Sequence, residues 1–227
     1  MARALFLAAA ALVLGAVPVA ADPVQGRQPQ TVKETFKPEV TGYKVEVWTR
    51  RLDVPWSLVF LPDGNALVSE RPGRIRLIAK DGSLAEAPYA TLPVQVGGEG
   101  GLMGLALHPR FAEQSFVYAM MTTSDGGKTV NRVVRLKHGS EPAVEKVIVD
   151  NIPAATYHNG GRIAFGPDGM LYVTTGENFK ADLAQDMNSL AGKILRVTPD
   201  GAVPPDNPFP NSPIWSLGHR NPQGLAW

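Results

Sequence analysis

One pattern recurs along this chain: a short apolar strand, a turn built on Pro-Asp-Gly, and a second strand. Trp56-Ser57-Leu58-Val59-Phe60-Leu61 passes through Pro62-Asp63-Gly64-Asn65 into Ala66-Leu67-Val68-Ser69-Glu70. Arg162-Ile163-Ala164-Phe165 passes through Gly166-Pro167-Asp168-Gly169 into Met170-Leu171-Tyr172-Val173-Thr174-Thr175, with Glu177 just beyond. A third copy, with a longer turn, joins Met103-Gly104-Leu105-Ala106-Leu107 to Phe116-Val117-Tyr118-Ala119-Met120-Met121, and a fourth begins at Pro222-Gln223-Gly224-Leu225-Ala226-Trp227. Proline presets one turn dihedral, aspartate bonds its own turn and glycine takes the left-handed corner, so these turns have a mechanism behind them.

The copies recur roughly every 50 to 60 residues, with room for about four short strands in each interval, which is the spacing of propeller blades. A β-sandwich, the nearest competitor, needs no self-similar period. The expected fold class is therefore all-β, a β-propeller of which this sequence carries about three blades and the start of a fourth. An incomplete ring would leave blade faces and edges unpaired. The sequence is accordingly expected to break off at Trp227 within a longer protein.

Ahead of the repeats, Arg3 gives a charged start, Leu5 to Val17 an apolar run, and Val19-Ala20-Ala21 a small-residue cleavage pattern. Residues 1–21 thus read as a secretory signal peptide, and the apolar run is shorter than the ~20 residues a membrane span needs. Residues 22–42, rich in Pro, Gln, Lys and Thr without apolar periodicity, read as an extended arm, and residues 43–227 as the partial propeller domain. The expected compartment is periplasmic or secreted. With no cysteine in the chain, neither disulfides nor thiolate metal sites enter the design. A formal net charge of +1 with interspersed signs gives no footprint for nucleic acid.

The stretch richest in chemistry is Tyr157-His158-Asn159-Gly160-Gly161, which places an imidazole at the start of a hairpin beside a backbone able to turn tightly. An imidazole of ordinary pKa, ~6.5, is a competent proton acceptor near neutral pH. The copies that begin at Trp56 and Met103 carry no imidazole before their strand. His108, before a proline in a turn, and His219 read as structural, and His138, in a polar turn, as solvated. The acidic loop from Glu177 through Asp186 has oxygen ligands but lacks the grammar of a Ca2+ loop, and reads as capping and solvated.

Three segments carry a resemblance: His158-Asn159-Gly160-Gly161-Arg162, Gly100-Gly101-Leu102-Met103-Gly104-Leu105-Ala106-Leu107-His108-Pro109, and Gly218-His219-Arg220-Asn221-Pro222-Gln223-Gly224-Leu225-Ala226. In this order and at blade spacing they resemble the soluble quinoprotein sugar dehydrogenases, which include glucose/sorbosone and aldose sugar dehydrogenases. The resemblance implies a six-bladed propeller that binds pyrroloquinoline quinone (PQQ) and Ca2+, oxidises the anomeric carbon of an aldose sugar to a lactone and passes electrons to an external acceptor. It implies that His158 is the general base, and that Arg220 and Asn221 contact the quinone carbonyls, where a cation and an amide stabilise developing charge. Two positions depart from the family pattern: Glu99 stands where glucose-oxidising members carry Gln facing the sugar, and Tyr157 stands where some carry Asp. Both are expected at the substrate. No metal ligand is expected within this chain, the family's Ca2+ ligands and quinone-carboxylate residues following the Arg-Asn-Pro-Gln segment, beyond Trp227. The competing classes are a non-catalytic propeller that binds a sugar or a protein, and a Ca2+-dependent lactonase-like propeller.

Overall fold

The computed structural model of the protein describes Thr35, Phe36 and residues 42–227. The expected signal peptide and most of the expected arm lie outside the described residues. A short antiparallel ladder pairs β1 (Thr35–Phe36) with β2 (Val45–Glu46). The alternation across Tyr43–Trp48 predicts a longer strand; among the described residues, Thr35 and Phe36 pair with Glu46 and Val45.

Three four-stranded antiparallel sheets follow, each taking its strands in chain order. The first holds β3 (Pro55–Phe60), β4 (Ala66–Glu70), β5 (Arg74–Ile78) and β6 (Ala90–Thr91). The second holds β7 (Leu102–Leu107), β8 (Phe116–Asp125), β9 (Lys128–Lys137) and β10 (Ala143–Pro153). The third holds β11 (Ile163–Phe165), β12 (Leu171–Thr174), β13 (Lys193–Val197) and β14 (Ile214–Leu217). The leading strands β3, β7 and β11 neighbour one another across sheets. These are three blades of a propeller, as the repeat predicts.

The turn chemistry is the one read from sequence. In the first blade Gly64 sits at φ +89° and Asp63 Oδ1 accepts from Asn65 N at 2.9 Å; in the third Gly169 sits at +74° and Asp168 Oδ1 accepts from Met170 N at 3.1 Å. In the second blade the longer turn folds into a single helical turn, α1 (Phe111–Gln114).

The core lies between blades. On β8, Val117, Ala119 and Met121 pack with Leu67, Ile75 and Leu105 towards the first blade, while Tyr118 and Met120 pack with Ile163, Leu171 and Leu195 towards the third. Period-two alternation with both faces covered explains why β8 reads as an unbroken apolar run. On the first blade Leu58 and Phe60 face away from this core and stay exposed, as does Trp215 on the third.

The fourth copy forms no strand: Pro222–Trp227 makes no ladder among the described residues, although Arg162 Nε donates to Gln223 O at 3.0 Å and Trp227 meets the Tyr172 ring at 5.2 Å. No helix among the described residues is long and apolar enough to cross a membrane.

Candidate active site

The site is built from the segments that connect blades. Glu99 lies between β6 and β7, His158 between β10 and β11, and Arg220 and Asn221 just after β14. Hydrogen bonds tie these crossovers together. Glu99 N donates to Thr156 O at 2.8 Å, and Glu99 Oε2 accepts from His158 N at 2.7 Å and from Asn221 Nδ2 at 3.4 Å. Gly160 N donates to Asn221 Oδ1, and Glu177 N to Arg220 O, both at 2.9 Å.

The His158 loop keeps its shape through local chemistry. His158 itself is left-handed, at φ +58°, and Gly160 and Gly161 follow at +69° and +108°. A Cβ on Gly160 would stand 2.5 Å from Thr174 O and one on Gly161 2.8 Å from Met103 Sδ, so close packing and dihedral both demand glycine. Asn159, buried, bonds back across the loop to Ala155 N and O and accepts from Asn131 Nδ2 at 2.9 Å.

Within this frame the imidazole is oriented by a carboxylate. His158 Nδ1 is hydrogen-bonded to Glu177 Oε1, and both residues are 5% exposed. An ionised carboxylate can only accept, so in this pair Nδ1 is the donor, and in the neutral ring the lone pair then lies on Nε2. Gly176 makes the approach possible, because a Cβ there would stand 1.9 Å from His158 O. Glu177 Oε2 is buried without a hydrogen-bond partner and remains an acceptor for a donor group.

Phe179 stacks on the His158 ring, centroids 3.9 Å apart and planes 19° from parallel. Its backbone and that of Asn178 are left-handed, at +57° and +60°, a conformation that asparagine adopts readily and a bulky phenylalanine seldom does. Phe179 and Glu177 line an open cleft of about 680 Å³ together with Asp182, Gln185, His219 and Arg220. The Arg220 guanidinium stands 6.0 Å from the Phe179 ring centre. Tyr157 is exposed and turns its ring edge-on to Phe179 at 5.9 Å. All five residues singled out from the sequence are therefore gathered around one loop, with Glu99 and Asn221 bonded to it directly.

Behind the cleft is a side chain that sequence reasoning missed. Lys193 is fully buried, and its ammonium donates to three backbone carbonyls, Leu183 O at 2.7 Å, Ala191 O at 2.8 Å and Ala184 O at 3.1 Å. Burial lowers its pKa, partly opposed by the charge of Asp186.

The histidines read as structural are held by neighbours. His108 Nδ1 accepts from Arg110 N at 3.1 Å, and His219 Nε2 meets Ser216 Oγ at 2.7 Å. Burial, then the charge of Arg110, lowers the His108 pKa; burial, then the charge of Lys193, lowers that of His219. The unfolded chain therefore binds protons at these rings that the folded chain refuses, so stability falls as pH drops through about 6.5. The urea midpoint is expected to be lower at about pH 5.5 than at about 7.5, a window above ordinary carboxylate titration, and His108→Gln should shrink the difference. An unchanged midpoint across that window would contradict the assignment.

His138 is not solvated as its polar turn predicts. Its Nδ1 meets Tyr89 Oη at 2.8 Å, and Phe111 packs against it edge-on at 5.1 Å, because the turn folds back over the first blade. The acidic loop separates into two parts: Asp186 caps its own turn through Asn188 N at 2.9 Å, whereas Glu177 turns inward to His158. Among the described residues no group of three or more His, Cys, Asp or Glu is placed to hold a metal ion.

Comparison with known proteins supplies the family. Residues 52–227 match the family model described as Glucose / Sorbosone dehydrogenase. The aldose sugar dehydrogenase YliI of Escherichia coli K12 is 36% identical over 195 residues, covering 80% of this chain and 52% of that protein. Among solved structures, an oxidoreductase (glucose dehydrogenase) from Thermus thermophilus is 55% identical with a TM-score of 0.75, covering 80% of this chain and 57% of that one. The PQQ-bound aldose sugar dehydrogenase of Streptomyces coelicolor is 44% identical with a TM-score of 0.75, covering 81% of this chain and 56% of that one. The chain spans about half the length of the relatives it matches.

Proposed function

The chain belongs to the glucose/sorbosone dehydrogenase family, and from that premise we propose that it carries the proton-accepting part of a site that oxidises the anomeric carbon of an aldose sugar to a lactone. The observation that supports this reading best is the buried His158–Glu177 pair: the carboxylate engages Nδ1, which in the neutral ring puts the lone pair on Nε2, and Glu177 together with Phe179, stacked on the ring, lines the open cleft. PQQ, when bound, supplies the two-electron acceptor that takes the hydride.

The chain's own residues fit such a group. His158 Nε2 accepts the proton of the anomeric hydroxyl, and Glu177 stabilises the imidazolium that forms. Arg220 and the Nδ2 of Asn221 are the cation and the amide donor for the quinone carbonyls. Asn221 Oδ1 is already committed to Gly160 N and one Nδ2 hydrogen points to Glu99, which leaves one N–H for a ligand. Ca2+ is the second cofactor of the proposal, and no role in holding it is assigned to the side chains of this chain. The setting is a periplasmic or secreted protein that hands its electrons to an external acceptor.

The activity is proposed for a protein of the relatives' length that contains this chain. With PQQ and Ca2+ added, that protein is expected to reduce a dye in the presence of an aldose, and to stop when the quinone is withheld; residues 1–227 alone are expected not to turn over. Sugar binding without dye reduction by the longer protein would identify a binding propeller instead.

A further inference from the structure

We propose that Glu99 is a positioning residue, whose carboxylate holds the backbone of His158 and the side-chain amide of Asn221 in one fixed relation. The idea rests on the reading of His158 as base and Asn221 as quinone contact. Its basis is geometric. A single oxygen, Glu99 Oε2, accepts from His158 N at 2.7 Å and from Asn221 Nδ2 at 3.4 Å.

The His158 N–H belongs to a residue held at φ +58°, and a left-handed non-glycine residue needs its surroundings to keep it there. A bond from that N–H to a carboxylate is charge-assisted and among the stronger kinds available to a backbone donor. Asn221 is held at its other end by Gly160 N, so its amide has one orientation, with Nδ2 turned to Glu99.

Glu99 is itself fixed. Its own N–H donates to Thr156 O at 2.8 Å, and the preceding carbonyl, Gly98 O, accepts from Arg71 Nη1 at 2.6 Å. Gly98 is left-handed, and a Cβ on it would stand 2.0 Å from Thr156 O, so the two crossovers interlock at this point. Glu99 is half-buried and does not line the cleft. One oxygen of the carboxylate, Oε2, is thus committed to the site's own frame.

The first test reads the His158 amide by hydrogen exchange without cofactor. Glu99→Ala is expected to speed exchange at His158 by about tenfold or more while amides of β12 and β13 keep their rates, and Glu99→Gln, which retains an acceptor oxygen, to stay within about threefold of wild type. If the alanine variant loses protection throughout, Glu99→Asp, one methylene shorter, takes its place and should speed exchange at His158 alone. Unchanged exchange at His158 in the folded variant overturns the proposal. In the PQQ-loaded protein of the relatives' length, Glu99→Ala should lower kcat with little change in the KM for sugar, and Glu99→Gln should recover most of it. A raised KM with kcat intact would make Glu99 a substrate contact and overturn the proposal. If exchange behaves as expected but wild-type protein oxidises no sugar, the dehydrogenase reading fails and the positioning role stands.

Discussion

Replacing His158 by alanine in the PQQ-loaded protein is expected to lower kcat by between about a hundredfold and ten-thousandfold, the usual contribution of a positioned general base. Quinone binding should survive, because the residues proposed to hold the quinone carbonyls, Arg220 and Asn221, keep their own anchors, Arg220 O on Glu177 N and Asn221 Oδ1 on Gly160 N. Glu177→Gln offers a sharper version of the same experiment. Its amide N–H can donate to Nδ1, which would place the proton on Nε2 and remove the lone pair while the packing stays nearly the same. A comparable loss in kcat is expected. Stopped-flow reduction of the quinone at saturating sugar separates the proton-transfer step from later reoxidation; wild-type rates in His158→Ala would remove His158 from the chemistry, and wild-type rates in Glu177→Gln alone would mean that the glutamine carbonyl accepts from Nδ1 in place of the carboxylate.

Lys193→Met is expected to destabilise the protein by roughly 2 to 3 kcal/mol. The ammonium satisfies Leu183 O, Ala184 O and Ala191 O, none of which a thioether can satisfy as a donor. Ala184 O keeps a second partner in Gly218 N at 2.9 Å, so two carbonyls, not three, are orphaned. Each buried carbonyl left unmade costs about 1–3 kcal/mol, and part of that total is offset because the variant no longer buries a charge with no carboxylate bonded to it. Urea unfolding gives the number, and exchange across residues 181–192 shows whether the cleft wall loosens first. A midpoint matching wild type would mean that water replaces the ammonium without loss.

Much of this was legible in the sequence because it depended on local chemistry. Pro62-Asp63-Gly64 and Pro167-Asp168-Gly169 announce their turns, and their spacing announces blades. His158 stood out as an imidazole at the start of a hairpin, which the copies beginning at Trp56 and Met103 lack. Its partner did not, because Glu177 lies 19 residues away, reaches it only by virtue of the missing Cβ at Gly176, and sits in a loop whose composition suggests solvation. Lys193 was hidden for a related reason. A lysine beginning a strand reads as a solvent-facing charge, and only the folded loop shows three carbonyls converging on it. Glu99 could be placed near the site by its motif, but its direction, towards a backbone N–H, is a property of two crossovers interlocked through Gly98 and Thr156.

The crossovers that meet in this site have one further consequence. Each comes from the same place in a repeated unit, yet in the proposed site one contributes a carboxylate, Glu99, the next an imidazole, His158, and the last an amide and a guanidinium, Asn221 and Arg220. The connectors occupy corresponding places between blades but differ in length and in the side chains they carry. Such a division of labour lets one connector change while the others keep their form, so that altered chemistry could arise by editing a single inter-blade segment. It also makes the alignment of these groups depend on how the blades stack: a small rotation of one blade against its neighbour would move one reagent and leave the rest in place.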